Sequence, residues 1–185
     1  RKLGKRLPNL VIENCSSGGH RLEPSMQALA SMASFSDAHE WKAIPVIAAN
    51  VTRAILPAQS QIWAVLRKDD DSKRLHYSLA CTFLGRMCLS GDIYDLTDTQ
   101  WGIVEEAISF YKECAPVVKA GRNFRFGPSI KSYNHLKGWQ AVCRKGKNDN
   151  QMLVVLHTFE QCEECVTIEL PDESINSWKL TKVFR

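Results

Sequence analysis

The sequence contains no apolar run that approaches the roughly 18 residues needed for a membrane-spanning helix. It also has neither the GxGxxG nor the GxxxxGK glycine pattern that binds nucleotide phosphates, so no cofactor is expected. The chain begins with Arg1 instead of Met, and no long apolar stretch of the signal-peptide type follows. We therefore expect a protein without a membrane partner or an export signal.

Charge is modest and spread along the chain. The formal net charge is +4, with 24% charged and 44% hydrophobic residues, as in ordinary soluble globular proteins. A short basic cluster at Arg1, Lys2, Lys5 and Arg6 is typical of a solvated chain end. The composition predicts no nucleic-acid partner.

Seven cysteines are present, an odd number at irregular spacing. Several lie within apolar runs, where a free thiol behaves as a small hydrophobic group. Cys162 and Cys165 have CxxC spacing, but no second pair or histidine couple completes a zinc site, so no metal is predicted. Reduced thiols and the missing export signal predict a cytoplasmic location.

The first two-thirds of the chain alternates between strand-like and helix-like runs. Predicted strands begin near residues 10, 33, 61 and 85, about 25 residues apart. Predicted helices begin at Pro24, near Pro45 and near Leu75, and Thr97 with Gln100 forms a capping box before a fourth helix. This period is typical of strand–helix units with a parallel sheet.

Two architectures fit four such units. They make half of an eight-stranded barrel, whose usual length is about 250 residues, or a complete open, doubly wound sheet. The spacing does not separate the two. We interpret the start at Arg1 as a cut end, which favours residues 1–121 as the C-terminal half of a (β/α)8 TIM barrel.

The pattern changes after Gly121. Residues 122–131 are predicted to be a polar connector, and residues 132–185 a small antiparallel β-sandwich-like domain. Four runs have strand character: residues 139–143, 152–159, 165–170 and 178–184. In the third run, Val166, Ile168 and Leu170 alternate with polar residues, which predicts a half-buried strand.

Catalytic residues of strand–helix barrels lie after the carboxyl ends of the strands. Cys15 and Gly18 follow the first predicted strand, and Asp37 follows the second. Glycine allows a ligand to approach the backbone closely, although a simple tight turn explains it equally well. Asp37 fits a general acid or a helix cap. Further candidates are Glu13, Asn14, Gly19, Ser36, His39, Glu40, Arg67, Asp69, Asp92 and Asp95.

The stretch Glu-Asn-Cys-Ser-Ser-Gly-Gly-His-Arg at residues 13–21 resembles the cysteine–glycine loop of glycoside hydrolase family 36, the α-galactosidases. About 20 residues later, Ser36-Asp37 stands where that family has its acid/base motif. Weaker similarities cover residues 59–63, 84–92 and 138–141, so the resemblance extends over most of residues 8–144. It implies a (β/α)8 barrel followed by a β-sandwich.

The resemblance also implies a retaining mechanism, in which one carboxylate attacks the sugar and a second acts as acid and then base. Asp37 matches the second carboxylate, while Cys15 and Gly18 match positions that contact galactose. The family's nucleophile lies in an upstream Lys-x-Asp motif, which does not occur in the 14 residues before Cys15. The chain alone is therefore expected to be inactive.

Three functions remain open at this point. The first is a piece of a retaining α-galactosidase that acts on α-galactoside oligosaccharides. The second is a transglycosylase of the raffinose-synthase kind, with Asp37 in the same role. The third is a non-enzymatic α/β module that binds carbohydrate or protein. The loop at residues 16–20 and the residues after Asp37 depart from the family's usual pattern, and a homo-oligomeric parent is left open.

Overall fold

The structure, a computed structural model, describes residues 2–15, 20–34, 40–147, 151–170 and 178–185. Its helices and strands alternate over the first half of the chain and give way to strands alone near the end. In chain order they are α1 (Lys2–Arg6), β1 (Glu13–Cys15), α2 (Pro24–Gln27), β2 (Met32–Ser34), α3 (Ile44–Val51), β3 (Ser60–Leu66), α4 (Ser72–Thr82), β4 (Arg86–Gly91), α5 (Asp98–Ala120), β5 (Arg122–Phe126), β6 (Trp139–Lys145) and β7 (Met152–Thr158).

The first four strands form one sheet in the order β1-β2-β3-β4, and every neighbouring pair is parallel. Each parallel pair needs a crossover, which α2, α3 and α4 supply in turn. The predicted strand–helix units with parallel neighbours are therefore confirmed.

Helices α3, α4 and α5 cover one face of the parallel sheet. Ile62, Ala64 and Leu66 alternate along β3 and are fully buried in the same core as Leu75 and Leu79 of α4. Alternation places these β3 side chains on one face, and apolar positions three and four apart give each helix one inward stripe.

Helix α5 begins where the sequence predicts. The Thr97 hydroxyl accepts from the backbone N–H of Gln100 at 3.3 Å, and Gln100 Oε1 accepts from the backbone N–H of Thr97 at 2.8 Å. The two groups satisfy backbone donors that have no partner within the helix. The predicted capping box is confirmed.

Strands β5, β6 and β7 form a second, antiparallel sheet. The predicted strands at residues 139–143 and 152–159 are confirmed as β6 and β7. The predicted connector at 122–131 is wrong in its first half, because Arg122–Phe126 pairs with β6 over five register positions. The sequence pattern did not reveal this strand, because it contains charged residues and its pairing partner, β6, lies further along the chain.

Other boundaries also differ from the sequence prediction. Leu10 and Val11 were expected in the first strand but are exposed, and β1 begins at Glu13. Helix α2 starts at Pro24 as predicted and ends after four residues at Gln27.

Neither residues 165–170 nor residues 178–184 form a strand in the part that is described. Val166, Ile168 and Leu170 are half-buried and Thr167 is exposed, so the pattern gave the burial correctly. The alternation does not show which other strand, if any, the segment pairs with.

The antiparallel sheet packs against α4 and α5, and two hydrogen bonds also join it to α3. Gln140 of β6 donates to the carbonyl oxygen of Pro45 at 2.8 Å, and Arg125 of β5 donates to Asn50 Oδ1 at 2.5 Å. Both bonds join residues more than 70 positions apart. The antiparallel sheet is thereby held against the helices of the parallel one.

Candidate active site

Two of the candidate loops leave the parallel sheet side by side. Cys15, the last residue of β1, is the register partner of Ser34, the last residue of β2. Cys15 is exposed, whereas Ser34 is buried. Asp37 and Gly18, the other two predicted site residues, lie outside the described residues, as do Ser36, Gly19 and His39. The sequence placed Glu13, Asn14 and Cys15 in a loop, but all three are strand residues.

The cysteine–glycine loop is anchored where it returns to the sheet. Asn14 is buried, and its Nδ2 donates to the carbonyl oxygen of Arg21 at 2.6 Å. Gln27, also buried, donates to the same oxygen at 3.3 Å. These bonds hold the chain at Arg21 next to β1 and α2.

Cys15, Ser34 and Gln61 share the sheet face opposite the helices, because register partners point to the same side. Glu13 lies two residues before Cys15 and therefore on the same face. Burial raises the pKa of the Cys88 thiol on β4, and the Glu13 carboxylate raises it further. The charge on the first strand therefore acts on the fourth.

The carboxyl ends of β3 and β4 are tied together by an ion pair. Arg67 Nη1 lies 3.1 Å from Asp92 Oδ1, and the backbone N–H of Lys68 donates to the same carboxylate at 3.4 Å. Gly91 precedes Asp92 with a φ of +96°, and a Cβ there would strike the Leu66 carbonyl oxygen. Asp92, one of the further candidates from the sequence, thus joins the ends of two strands.

A buried cysteine–histidine pair lies away from the strand ends and was missed by the sequence analysis. Cys81 Sγ is 3.4 Å from His157 Nε2, and both residues are buried. Burial raises the pKa of the Cys81 thiol and lowers the pKa of His157 to about 4. Both groups are neutral at pH 7, so the pair lacks the thiolate that a nucleophile needs. No local spacing could have revealed a contact across 76 positions.

Two further properties concern the described ranges alone. Within them, no group of three or more His, Cys, Asp or Glu side chains is placed to hold a metal ion. None of their helices combines the length and the apolar character that crossing a membrane requires.

The site thus lies at the carboxyl ends of a helix-covered parallel sheet, the usual position of a catalytic site in α/β enzymes. No protein-family model matches the sequence, and no curated protein does. Solved structures do match.

The α-galactosidase of Lactobacillus brevis has a TM-score of 0.76 and 17% identity over 95% of this chain and 24% of its own. A variant of the glycoside hydrolase family 36 α-galactosidase AgaA of Geobacillus stearothermophilus, in complex with 1-deoxygalactonojirimycin, has a TM-score of 0.70 and 20% identity over 83% of this chain and 21% of its own. Another AgaA variant, in complex with stachyose, has a TM-score of 0.66 and 21% identity over 83% and 21%.

These comparisons confirm, at the level of fold, the resemblance to family 36 α-galactosidases that the sequence predicts. The chain spans about a fifth to a quarter of the length of the structures it matches.

Proposed function

We propose that the chain is the C-terminal half of a (β/α)8 catalytic barrel with the start of a β-sandwich domain, from a retaining α-galactosidase. In this proposal Asp37 is the general acid and base, and Cys15 and Gly18 contact the galactose ring. The nucleophile lies in a part of the parent protein that precedes these residues. The barrel part comprises residues 1–121, and the β-domain, predicted at residues 132–185, also includes the strand Arg122–Phe126.

The observation that carries the proposal is the pairing of Cys15 with Ser34. It brings the cysteine–glycine loop and the chain that leads into Asp37 to neighbouring positions at one end of the sheet. Asp37 follows Ser34 by three residues along the chain, and in this proposal it acts on a sugar bound beside Cys15. A retaining glycosidase needs this closeness of acid and sugar.

The fold relatives support the half barrel over a complete open sheet, because the chain matches only about a fifth to a quarter of the length of each α-galactosidase. Strands β1 and β4 are both edge strands in the described ranges, as the two open edges of half a barrel would be.

The substrate follows from the fold relatives, among which AgaA variants are bound to raffinose and to stachyose. We infer a terminal α-linked galactose on a neutral oligosaccharide, with no cofactor. A raffinose-synthase-like transglycosylase would use Asp37 in the same way. All seven cysteines are free, which fits a reducing cytoplasm.

Substitution of Asp37 in the parent protein tests the proposal. Asp37→Asn should nearly abolish raffinose hydrolysis, because its leaving group needs a proton and general acid–base help is commonly worth about 10² to 10⁴ in rate. An activated aryl α-galactoside needs little protonation, so its first step should suffer far less. The galactosyl-enzyme should then accumulate, and azide should speed its breakdown.

A helix-capping role for Asp37 predicts a different result. Asn caps helices about as well as Asp, so Asp37→Asn would leave folding and both activities nearly unchanged. Equal, modest losses on raffinose and on the aryl substrate, without azide rescue, would reject the acid/base role. A non-enzymatic module predicts no activity in the parent itself.

A further inference from the structure

A cavity of about 280 Å³ lies where the antiparallel sheet packs against α4. Trp41 and Tyr77 border it on the side of the parallel sheet, and Phe159 borders it on the other side. Its polar border is formed by Asn134, Thr158, Lys42 and Glu160. We refer to this cavity, with these seven residues, as the Trp41 groove.

The indole of Trp41 is held in place before any ligand binds. The guanidinium carbon of Arg74 lies 4.1 Å from the centre of the Trp41 ring, and the ring of Tyr77 meets it edge-on at 5.1 Å. Asp70 fixes Arg74 through an ion pair of 3.7 Å between largely buried side chains. A ring fixed in this way loses little conformational entropy on binding.

Tyr77 is fixed in its turn. Its ring contacts the buried His157 edge-on at 4.9 Å, and its hydroxyl donates to the carbonyl oxygen of Lys42 at 3.4 Å. Burial raises the pKa of the Tyr77 hydroxyl, so this group stays neutral. The aromatic wall of the groove is therefore rigid and uncharged.

The polar border offers hydrogen-bond donors and acceptors as well as charges of both signs. The Lys42 ammonium and the Glu160 carboxylate lie 3.9 Å apart, both largely exposed, and balance each other in charge. Asn134 adds an amide and Thr158 a hydroxyl. A charged ligand would gain little here. The hydroxyl groups of a neutral ligand, in contrast, can donate to or accept from these side chains.

We propose that the Trp41 groove binds one hexopyranose ring of a neutral oligosaccharide. Such a ring has an apolar face for aromatic side chains and hydroxyls for the polar border. The volume is at the lower end of ligand pockets, which suits one ring and not a whole oligosaccharide. That the ligand is a sugar rests on the proposed function.

Titration of the 185-residue chain with raffinose, followed by the indole N–H signals of its tryptophans in NMR, tests this site. The Trp41 signal should shift and saturate at millimolar raffinose. Trp41→Ala should weaken binding about fivefold or more, because a rigid aromatic contact is commonly worth more than 1 kcal/mol. Tyr94→Ala, which removes a fully exposed aromatic ring outside the groove, is the matched control.

Asn134→Ala alters an exposed side chain and tests the polar border even where Trp41→Ala does not fold. An unmoved Trp41 signal, or wild-type affinity in both groove variants, would overturn the proposal. Binding is measured without turnover, so the outcome is independent of the Asp37 experiment. If the parent protein binds raffinose through the Trp41 groove but has no activity, the sugar site is retained and the proposed enzymatic function is rejected.

Discussion

The guanidinium of Arg144 donates a hydrogen bond of 3.1 Å to the carbonyl oxygen of Leu84, just beyond the end of α4. A second bond of 3.2 Å reaches the carbonyl oxygen of Val118 near the end of α5. Carbonyls at helix ends carry partial negative charge, which favours a cation there. Burial lowers the pKa of Arg144 to about 10, so the side chain remains charged at neutral pH. One side chain thus joins the antiparallel sheet to both helices.

Replacement of Arg144 by methionine should lower the free energy of unfolding by roughly 2–5 kcal/mol, because two buried carbonyls lose their donor. Urea unfolding of the variant measures the loss. Lys112→Met, on the exposed face of α5, is the control and should change stability little. A loss as small as that of the control would mean that Arg144 does not hold the two layers together.

The pKa of His157 predicts how stability depends on pH. It is lowered by burial to about 4 in the folded chain, against an ordinary value of 6.5. Between these values the unfolded chain binds more protons, so stability rises with pH. The contribution is fully present above pH 6.5 and is lost as the pH falls towards 4, by about 3 kcal/mol.

Urea unfolding at a series of pH values measures this dependence. His157→Gln removes the titrating group and should flatten the dependence between pH 4 and 6.5 relative to the unmodified chain. If the two proteins lose stability in parallel over that range, protonation of His157 is not responsible.

Much of the fold was predictable because its signals are local. Strand β3 is an apolar run, and the start of α5 depends on Thr97 and Gln100, which are three residues apart. Burial of Val166, Ile168 and Leu170 was also predictable from their alternation. Whether such a segment pairs depends on a distant partner, and the sequence pattern does not contain that partner.

The candidate site was predictable only where a motif marks it. Cys15 was found through the cysteine–glycine loop, and its position beside Ser34 agrees with the predicted order of strands. Trp41 and Arg74 stand 33 positions apart and form their contact only through packing. The burial of Arg144 was not predictable for the same reason, since no rule of composition predicts a charged residue in the core.

The reactivity of each cysteine should follow its exposure. The reactivity of Cys15 should also report on galactose bound at the proposed active site. Cys15 is exposed, while Cys81 and Cys143 are buried. Burial raises the pKa of the Cys143 thiol to about 11, which leaves little thiolate for reaction. Iodoacetamide followed by peptide mass spectrometry should label Cys15 quickly and the two buried thiols only after unfolding.

In the parent protein, galactose should slow the labelling of Cys15 if this residue contacts the sugar. Cys165, also exposed, provides the control and should react at the same rate with and without galactose. Equal rates at Cys15 would argue against its proposed contact with the ring.

The 185-residue chain should release no p-nitrophenol from the aryl α-galactoside above the uncatalysed rate. A retaining site needs two carboxylates about 5 Å apart, and three of those described near the strand ends have other partners. Asp92 pairs with Arg67, Asp70 pairs with Arg74, and Asp71 accepts from a backbone N–H at the start of α4. Glu13 lies on the same sheet face as Cys15, opposite the helices, so it is the first alternative nucleophile to exclude. Release that is lost in Glu13→Gln and slowed after the first turnover in Asp37→Asn, while both variants stay folded, would place the nucleophile within this chain and contradict the half-barrel proposal. Release at the unmodified rate in both variants would point to a contaminating enzyme.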